Sequence, residues 1–180
     1  MRRDAQARRE RLVSAAADVF ESDGYDVPLE KIAERADVGR GTLYRNFPDR
    51  ASLAIAVMEA HLDSLAAKIA ELGGRPDTFF LALRELASLA LATGALTQEL
   101  RAEGRSPVAI DKLRARVESL LGEPLDRAKA AGLVRGDFEI GDINAAAKMV
   151  AAGAKDGPGH GAPIGLTRAV ELLIRGLKPL

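Results

Sequence analysis

The stretch from Val27 to Arg50, VPLEKIAERADVGRGTLYRNFPDR, leaves this chain the fewest choices. Leu29, Ile32, Ala33 and Ala36 recur at i, i+3, i+4 and i+7, which is one apolar face of a helix. Asp37-Val38-Gly39 breaks that pattern as a turn. A second short helix begins near Arg40, with Leu43 and Phe47 four apart on its inner side. Gly41 and Arg45 fall opposite that line, and Thr42 and Tyr44 lie on its flanks. Pro48 stops the helix, because the residue before a proline is pushed out of the α region. Asp49 can then cap a new helix with Arg50 at its first position. This is the sequence form of a helix-turn-helix, whose second helix is built to enter a DNA major groove.

The outward residue types suit that task. A glycine at position 41 lets the backbone approach base edges closely. Arg40 and Arg45 each carry a forked donor matching guanine O6 and N7. Thr42, Tyr44 and Asn46 have hydrogen-bonding side chains suited to phosphate oxygens. Arg50 and the backbone N–H groups at its helix N-terminus can converge on one anion. Bulk electrostatics do not announce such a partner: 26 basic residues balance 26 acidic ones. Positive charge for DNA must therefore be local.

Taken together these residues resemble the N-terminal domain of the TetR family of transcriptional regulators. The pattern I-A-x-x-A-x-V-x-x-G-T-L-Y-R-x-F-P-x-[RK]-x-x-L runs from Ile32 to Leu53, and the likeness covers roughly residues 8 to 60. A G-L-x-P ending at Gly176 to Pro179 is shared with some members. The resemblance implies base contacts at Arg40, Gly41 and Arg45, and phosphate contacts at Thr42, Tyr44, Asn46 and Arg50. Two departures stand out. Val27-Pro28-Leu29-Glu30 replaces the Thr or Ser that members carry before the second helix, and Asn46 replaces a frequent His.

The remainder reads as helices. Alanine and leucine dominate and β-branched runs are absent, which favours an all-α fold. Arg2, Arg3, Arg8, Arg9 and Arg11 precede a first helix striped by Leu12, Val13, Ala16, Ala17 and Phe20. Those arginines either meet DNA or form a frayed, solvated terminus. Gly24 is a C′ residue for this helix, with Tyr25 making the accompanying apolar contact. A long fourth helix runs through Leu53, Val57, Leu62, Leu65 and Leu72 to Gly73-Gly74. Asp77 is the expected cap of an almost all-round apolar helix, interrupted at Gly94 and followed by a short helix from Thr97 to Glu103. Ser106-Pro107 starts another helix, with a kink or break expected near Gly122 and Pro124. Residues 133–141 read as an irregular connection. Two last helices, about 142–156 and 163–177, flank a glycine-rich loop containing His160.

The expected organisation is about nine helices in two domains. Residues 1–50 form a three-helix helix-turn-helix head, and residues 51–180 a helical effector-binding and dimerisation domain. The resemblance implies a homodimer through the last two helices, with Ile143, Ala147, Val150, Ala154, Leu166, Val170, Leu173 and Leu177 as interface candidates. It also implies an effector cavity, for which Met58, His61, Phe79, Phe80, Leu83, Leu86 and Met149 are candidates. Few charges lie on those stripes, so a small apolar or weakly polar effector fits better than a polyanion.

The expected function is a ligand-responsive regulator: a repressor that releases a palindromic double-stranded operator when the effector binds. Its rival is an all-helical partner-binding module without DNA function, supported by the neutral net charge and the missing Thr cap. Enzyme chemistry has no support. There is no cysteine, the two histidines fall in no metal-binding pattern, and no nucleophile is paired with a base. No cofactor is expected. No apolar run approaches the roughly 20 residues that span a bilayer. The arginine-rich N-terminus lacks an apolar signal region, so a cytoplasmic location without membrane insertion is expected.

Overall fold

The structure, a computed structural model, describes residues 2–102, 107–154 and 165–179. Those residues form eight helices and no strand: α1 (Arg2–Asp23), α2 (Leu29–Arg35), α3 (Arg40–Asn46), α4 (Arg50–Glu71), α5 (Thr78–Ala102), α6 (Pro107–Ala130), α7 (Asp142–Ala154) and α8 (Leu166–Gly176). They fall into two compact units, Met1–His61 with Ala95–Ile110, and Leu62–Gly94 with Asp111–Leu180. The expected cap at Ser106, the glycine-rich loop with His160 and the side chain of Ala154 lie outside the described residues.

In the first unit α1 packs on α2 and α2 on α3. The connections follow from local chemistry. Gly24 takes φ +84° beyond α1, and Tyr25 folds back on Phe20 with ring centroids 5.5 Å apart. Helix α2 has Pro28 at its N-cap, without a side-chain cap. It closes with two reversed bonds: Val38 N–H donates to Ala33 O at 3.0 Å, and Asp37 N–H to Glu34 O at 3.1 Å. This is a Schellman ending, which needs a left-handed residue at C′. That residue is Asp37, at φ 52°, whereas Gly39 is extended. Aspartate tolerates the left-handed region better than most residues. The turn therefore falls where the sequence places it, and aspartate makes the bend.

Helix α4 opens with a reciprocal cap. Ser52 N–H donates to Asp49 Oδ1 at 2.7 Å, while Asp49 N–H donates to Ser52 Oγ at 3.4 Å. Leu12, Ile32, Leu43, Phe47 and Leu53 are all but fully buried within this unit.

The second unit has one main core, centred on Leu62, Phe79, Leu83, Leu121, Leu125, Phe138 and Ile143. Helices α7 and α8 pack on each other. Residues 131–141 contain no helix, as expected, yet Val134 and Phe138 are buried from that connection. Its backbone is tied to the chain end, since Arg135 N–H donates to Leu177 O at 2.7 Å. Leu177 is itself buried in the main core. That gives the G-L-x-P ending a physical reason: one residue seals the core and accepts the connection's hydrogen bond.

Three details differ from the sequence reading. Helix α5 continues through Gly94 as far as Ala102, with no separate short helix. A glycine costs about 1 kcal/mol relative to alanine, too little to break so long a helix. Of the kink or break expected in α6, the break does not occur: the helix runs past Gly122 with Pro124 inside it. The proline is buried, so its packing offsets the lost backbone donor. Finally, the Asp77 carboxylate does not cap α5. Arg75 holds it with a forked pair, Nε to Oδ1 at 3.0 Å and Nη2 to Oδ2 at 2.6 Å, which keeps the carboxyl below its ordinary range. The Asp77 main-chain carbonyl instead accepts from Phe80 N–H at 3.1 Å.

Candidate nucleic-acid interface

Helix α3 is short, and its pose is set by what lies behind it. Leu43 and Phe47 are each 1 % exposed. Phe47 leaves the helix in an extended conformation, and its N–H closes on Leu43 O at 2.8 Å. Burial of that line turns the other edge outward. Arg40, Gly41, Tyr44 and Arg45 are exposed, and Thr42 and Asn46 are half-buried.

The polar side chains on this edge are partly pre-arranged. Arg45 Nη2 donates to Thr42 Oγ1 at 3.2 Å. Asn46 Nδ2 donates to Thr42 O at 2.7 Å, satisfying a carbonyl of the last turn. Tyr44 is 46 % exposed, and its hydroxyl donates to Glu30 Oε1 at 3.3 Å. Glu30 sits in the first turn of α2. Its carboxyl lies below the ordinary glutamate value, first because it accepts its own backbone N–H, then because of Tyr44, with burial opposing.

The carboxylate nearest this edge is Glu30 on α2, which Tyr44 engages and whose carboxyl also feels the charge of Arg40. From Val38 to Pro48 there are two arginines and no carboxylate. Three other cations in the unit are paired: Lys31 with Asp23 at 2.9 Å, Arg35 with Asp18 at 3.7 Å and Arg11 with Asp37 at 3.9 Å. Arg40 and Arg45 make no ion pair among the described residues. A chain of zero net charge thus sets two exposed arginines on one edge.

Gly41 adds a second signal. A Cβ built there would meet nothing within 4 Å, and its φ is not positive. A glycine inside a helix costs about 0.5–1 kcal/mol relative to alanine. Nothing within the described chain requires that cost. A surface approaching the backbone from outside would.

Arg50 is placed differently from its neighbours. The residue is half-buried, and one guanidinium nitrogen donates to the main-chain carbonyls of both Tyr25 and Val27. Its Cζ lies 5.2 Å from the Tyr25 ring centroid. Arg9 behaves alike, with Cζ 4.4 Å from the Phe47 centroid and Nη1 donating to Asn46 O at 3.4 Å. The sequence reading gave neither arginine these partners. The only available signal was an aromatic beside each turn.

The effector candidates divide between the units. Met58 is buried and His61 exposed in the first, with His61 Nδ1 2.8 Å from Val57 O. In the second, Phe79, Leu83 and Leu86 are buried in the main core with Phe80 against it. Phe79 meets Phe80 and Phe138 edge-on, with centroids 5.7 and 6.1 Å apart. Met149 stands outside this group, 71 % exposed. Thr78, also in the second unit, is fully buried and its hydroxyl has no hydrogen-bond partner among the described residues, a cost of about 1–3 kcal/mol.

Of the interface candidates, Ile143, Ala147 and Leu177 belong to the main core. Val150 and Val170 form a smaller core with Ala87 and Ala169, and Leu166 and Leu173 pack against it. The exposed residues of the same two helices include Ala145, Met149, Ala152 and Leu172. Among the described residues no group of side chains could hold a metal ion, and no helix is long and apolar enough to cross a membrane.

Residues 12–57 match the family model described as bacterial regulatory proteins, tetR family, and residues 75–179 match that of the transcriptional regulator SbtR-like C-terminal domain. A helix-turn-helix-type transcriptional regulator of Staphylococcus aureus is 36% identical over 64 residues, a match spanning 35% of this chain and 35% of that protein. The chain spans about a third of that relative's length. Among solved structures, a TetR regulatory protein from Mycobacterium vanbaalenii is 30% identical, with TM-score 0.70 and 99% of each chain covered. A TetR regulator from Streptomyces coelicolor is also 30% identical, with TM-score 0.71, covering 95% of this chain and 98% of that one. A third structure, described as the basis for control of antibiotic production by bacterial hormones, is 26% identical with TM-score 0.63, covering 95% and 97%.

Proposed function

The chain belongs to the TetR family of helix-turn-helix transcriptional regulators, and from that premise we propose that it is a homodimeric repressor whose α3 reads a palindromic operator and lets go when a small effector binds. The observation that carries the DNA-reading part is the outward edge of α3. Arg40 and Arg45 stand there exposed and without a direct ion pair among the described residues, on either side of a glycine the fold does not require. Arg40 and Arg45 are assigned to base edges, with the Gly41 backbone drawn close to them. Thr42, Tyr44 and Asn46 are assigned to phosphates. Neutralising phosphates releases counterions, so affinity falls steeply with salt.

Gly41→Ala separates this reading from a structural one. The substitution is expected to raise stability by about 0.5–1 kcal/mol, since no neighbour is displaced. It is expected at the same time to weaken operator binding, because the methyl group stands where a base must approach. Denaturation and anisotropy titrations on one preparation measure both. A variant that is stabilised and binds unchanged removes Gly41 from the interface.

A dimer places two heads on successive major grooves, roughly 34–36 Å apart in simple operators. For the contact with the second copy we assign the exposed line Ala145, Met149 and Ala152 of α7 with Leu172 of α8. Small residues there allow close helix packing, and Met149 and Leu172 are large apolar side chains left in solvent. The buried line of Ile143, Ala147 and Val150 supports the pair from behind.

The effector is assigned to the second unit, whose aromatic core around Phe79 and Phe80 suits an apolar or weakly polar molecule. Regulation requires that the effector bind one state of the dimer better than the other. A ligand that stabilises the second unit thermally should therefore lower operator affinity. A ligand that raises the melting temperature and leaves operator affinity untouched would remove the switch.

A further inference from the structure

We propose that Arg9 and Arg50 are positioning residues: paired clasps that hold the reading head in its DNA-binding pose rather than side chains that meet phosphate. The proposal rests on the reading of α3 as the operator-facing helix.

Both arginines use one chemistry. Each residue is half-buried, and its guanidinium lies over an aromatic ring and donates to at least one main-chain carbonyl at a helix boundary. Arg50, the first residue of α4, reaches back to Tyr25 and Val27 in the turn between α1 and α2. Tyr25 also meets the Phe20 ring. Arg9, in α1, reaches Asn46 O at the last residue of α3 and covers Phe47. One clasp thus fixes the entry to α2, and the other fixes the exit from α3.

The two are the reverse of Arg40 and Arg45, which are exposed and touch no carbonyl. A planar fork suits this work and an ammonium does not. Guanidinium stacks on rings, bonds in fixed directions and is more weakly hydrated than lysine's head group. The carbonyls of Tyr25 and Val27 lie in the α1–α2 turn, outside both helices. Arginine at the first position of α4 opposes the helix dipole. A phosphate would justify that position. The carbonyls of Tyr25 and Val27 already do so within the chain.

The test compares Arg9→Lys, Arg50→Lys and Arg50→Gln with the unmodified full chain in two measurements. The first is the carbonyl carbon chemical shift of Tyr25, Val27 and Asn46 without DNA. Clasps predict that Arg50→Lys moves the Tyr25 and Val27 resonances, and Arg9→Lys that of Asn46. The second is the salt dependence of binding to a selected duplex. Clasps predict about a ten-fold or greater loss in both lysine variants, from hydrogen bonds of a charged donor, with the salt slope unchanged. Unmoved carbonyl resonances overturn the proposal. So does an Arg50→Lys variant that binds like the parent while Arg50→Gln flattens the slope by about 0.9, one phosphate's share. Should the parent bind no duplex, the operator reading fails by itself, and the carbonyl shifts still decide whether the clasps exist.

Discussion

Replacing Phe47 with alanine is expected to cost about 3–5 kcal/mol of folding stability. The ring is 1 % exposed and sits at the residue that ends α3. Truncation removes the apolar surface it buries and leaves a cavity the neighbours fill only in part. It also removes the face on which Arg9 lies, a contact worth roughly 0.5–1 kcal/mol or more where partly desolvated. Domains of this size are stable by about 5–15 kcal/mol, so the variant should be marginal. Chemical denaturation followed by circular dichroism measures the loss. Operator binding should fall with it, because α3 keeps its outward edge only while its inner edge is anchored. A loss below about 1 kcal/mol would mean the ring is not the anchor described.

Arg45→Ala should behave in the opposite way, harming recognition and sparing the fold. The side chain is exposed, and its hydrogen bond goes to the hydroxyl of Thr42 one turn back. Surface substitutions of this kind stay within about 0.5 kcal/mol of the parent stability. A forked contact with a guanine is worth about 1–3 kcal/mol of discrimination, or roughly five- to 150-fold in binding. The loss should concentrate on duplexes carrying the preferred base at one position of each half-site. Binding to shuffled DNA should change only by the share of one charge. Equal losses on selected and shuffled duplexes would make Arg45 a phosphate contact instead.

The parts of this molecule that were legible beforehand are those where local chemistry and tertiary packing agree. The apolar spacing from Leu29 to Ala36, the stop at Pro48, the cap at Asp49 and the glycine at 24 each specify a boundary without help from distant residues. The continuity of α5 and α6 was not legible. A single glycine or proline weakens a helix locally, and packing along a long helix overrides it. Asp77 looked like a cap because its type and place were right. The competing partner, Arg75, lies two residues away and takes both carboxylate oxygens. The second unit also recruits Val134 and Phe138 from a connection without helical periodicity, so only the fold brings them to Phe79 and its neighbours.

The inward arginines were the least legible of all. Arg9 and Arg50 have the same composition signal as Arg40 and Arg45, and only their partners tell them apart. Spacing along a chain says which side chains share a helix face. It does not say which carbonyls a neighbouring turn leaves open. The same limit applies to α7 and α8, where a stripe of apolar residues satisfies a chain's own core and an intersubunit contact equally well. Burial of Ile143, Ala147, Val150 and Val170 directs attention to Met149 and Leu172 on the outer side.

The central claim is that the exposed edge of α3 reads DNA. Its most direct measurement is selection of a duplex from a random library by the full chain. The selected duplex and a shuffled one are then titrated with the parent and with an Arg40→Ala, Arg45→Ala double variant. The account predicts that the parent prefers the selected duplex by about a thousand-fold or more, with two chains bound per site. The double variant should remain folded and bind both duplexes alike. A double variant that keeps the preference, or a parent from which no preferred duplex emerges, would contradict it.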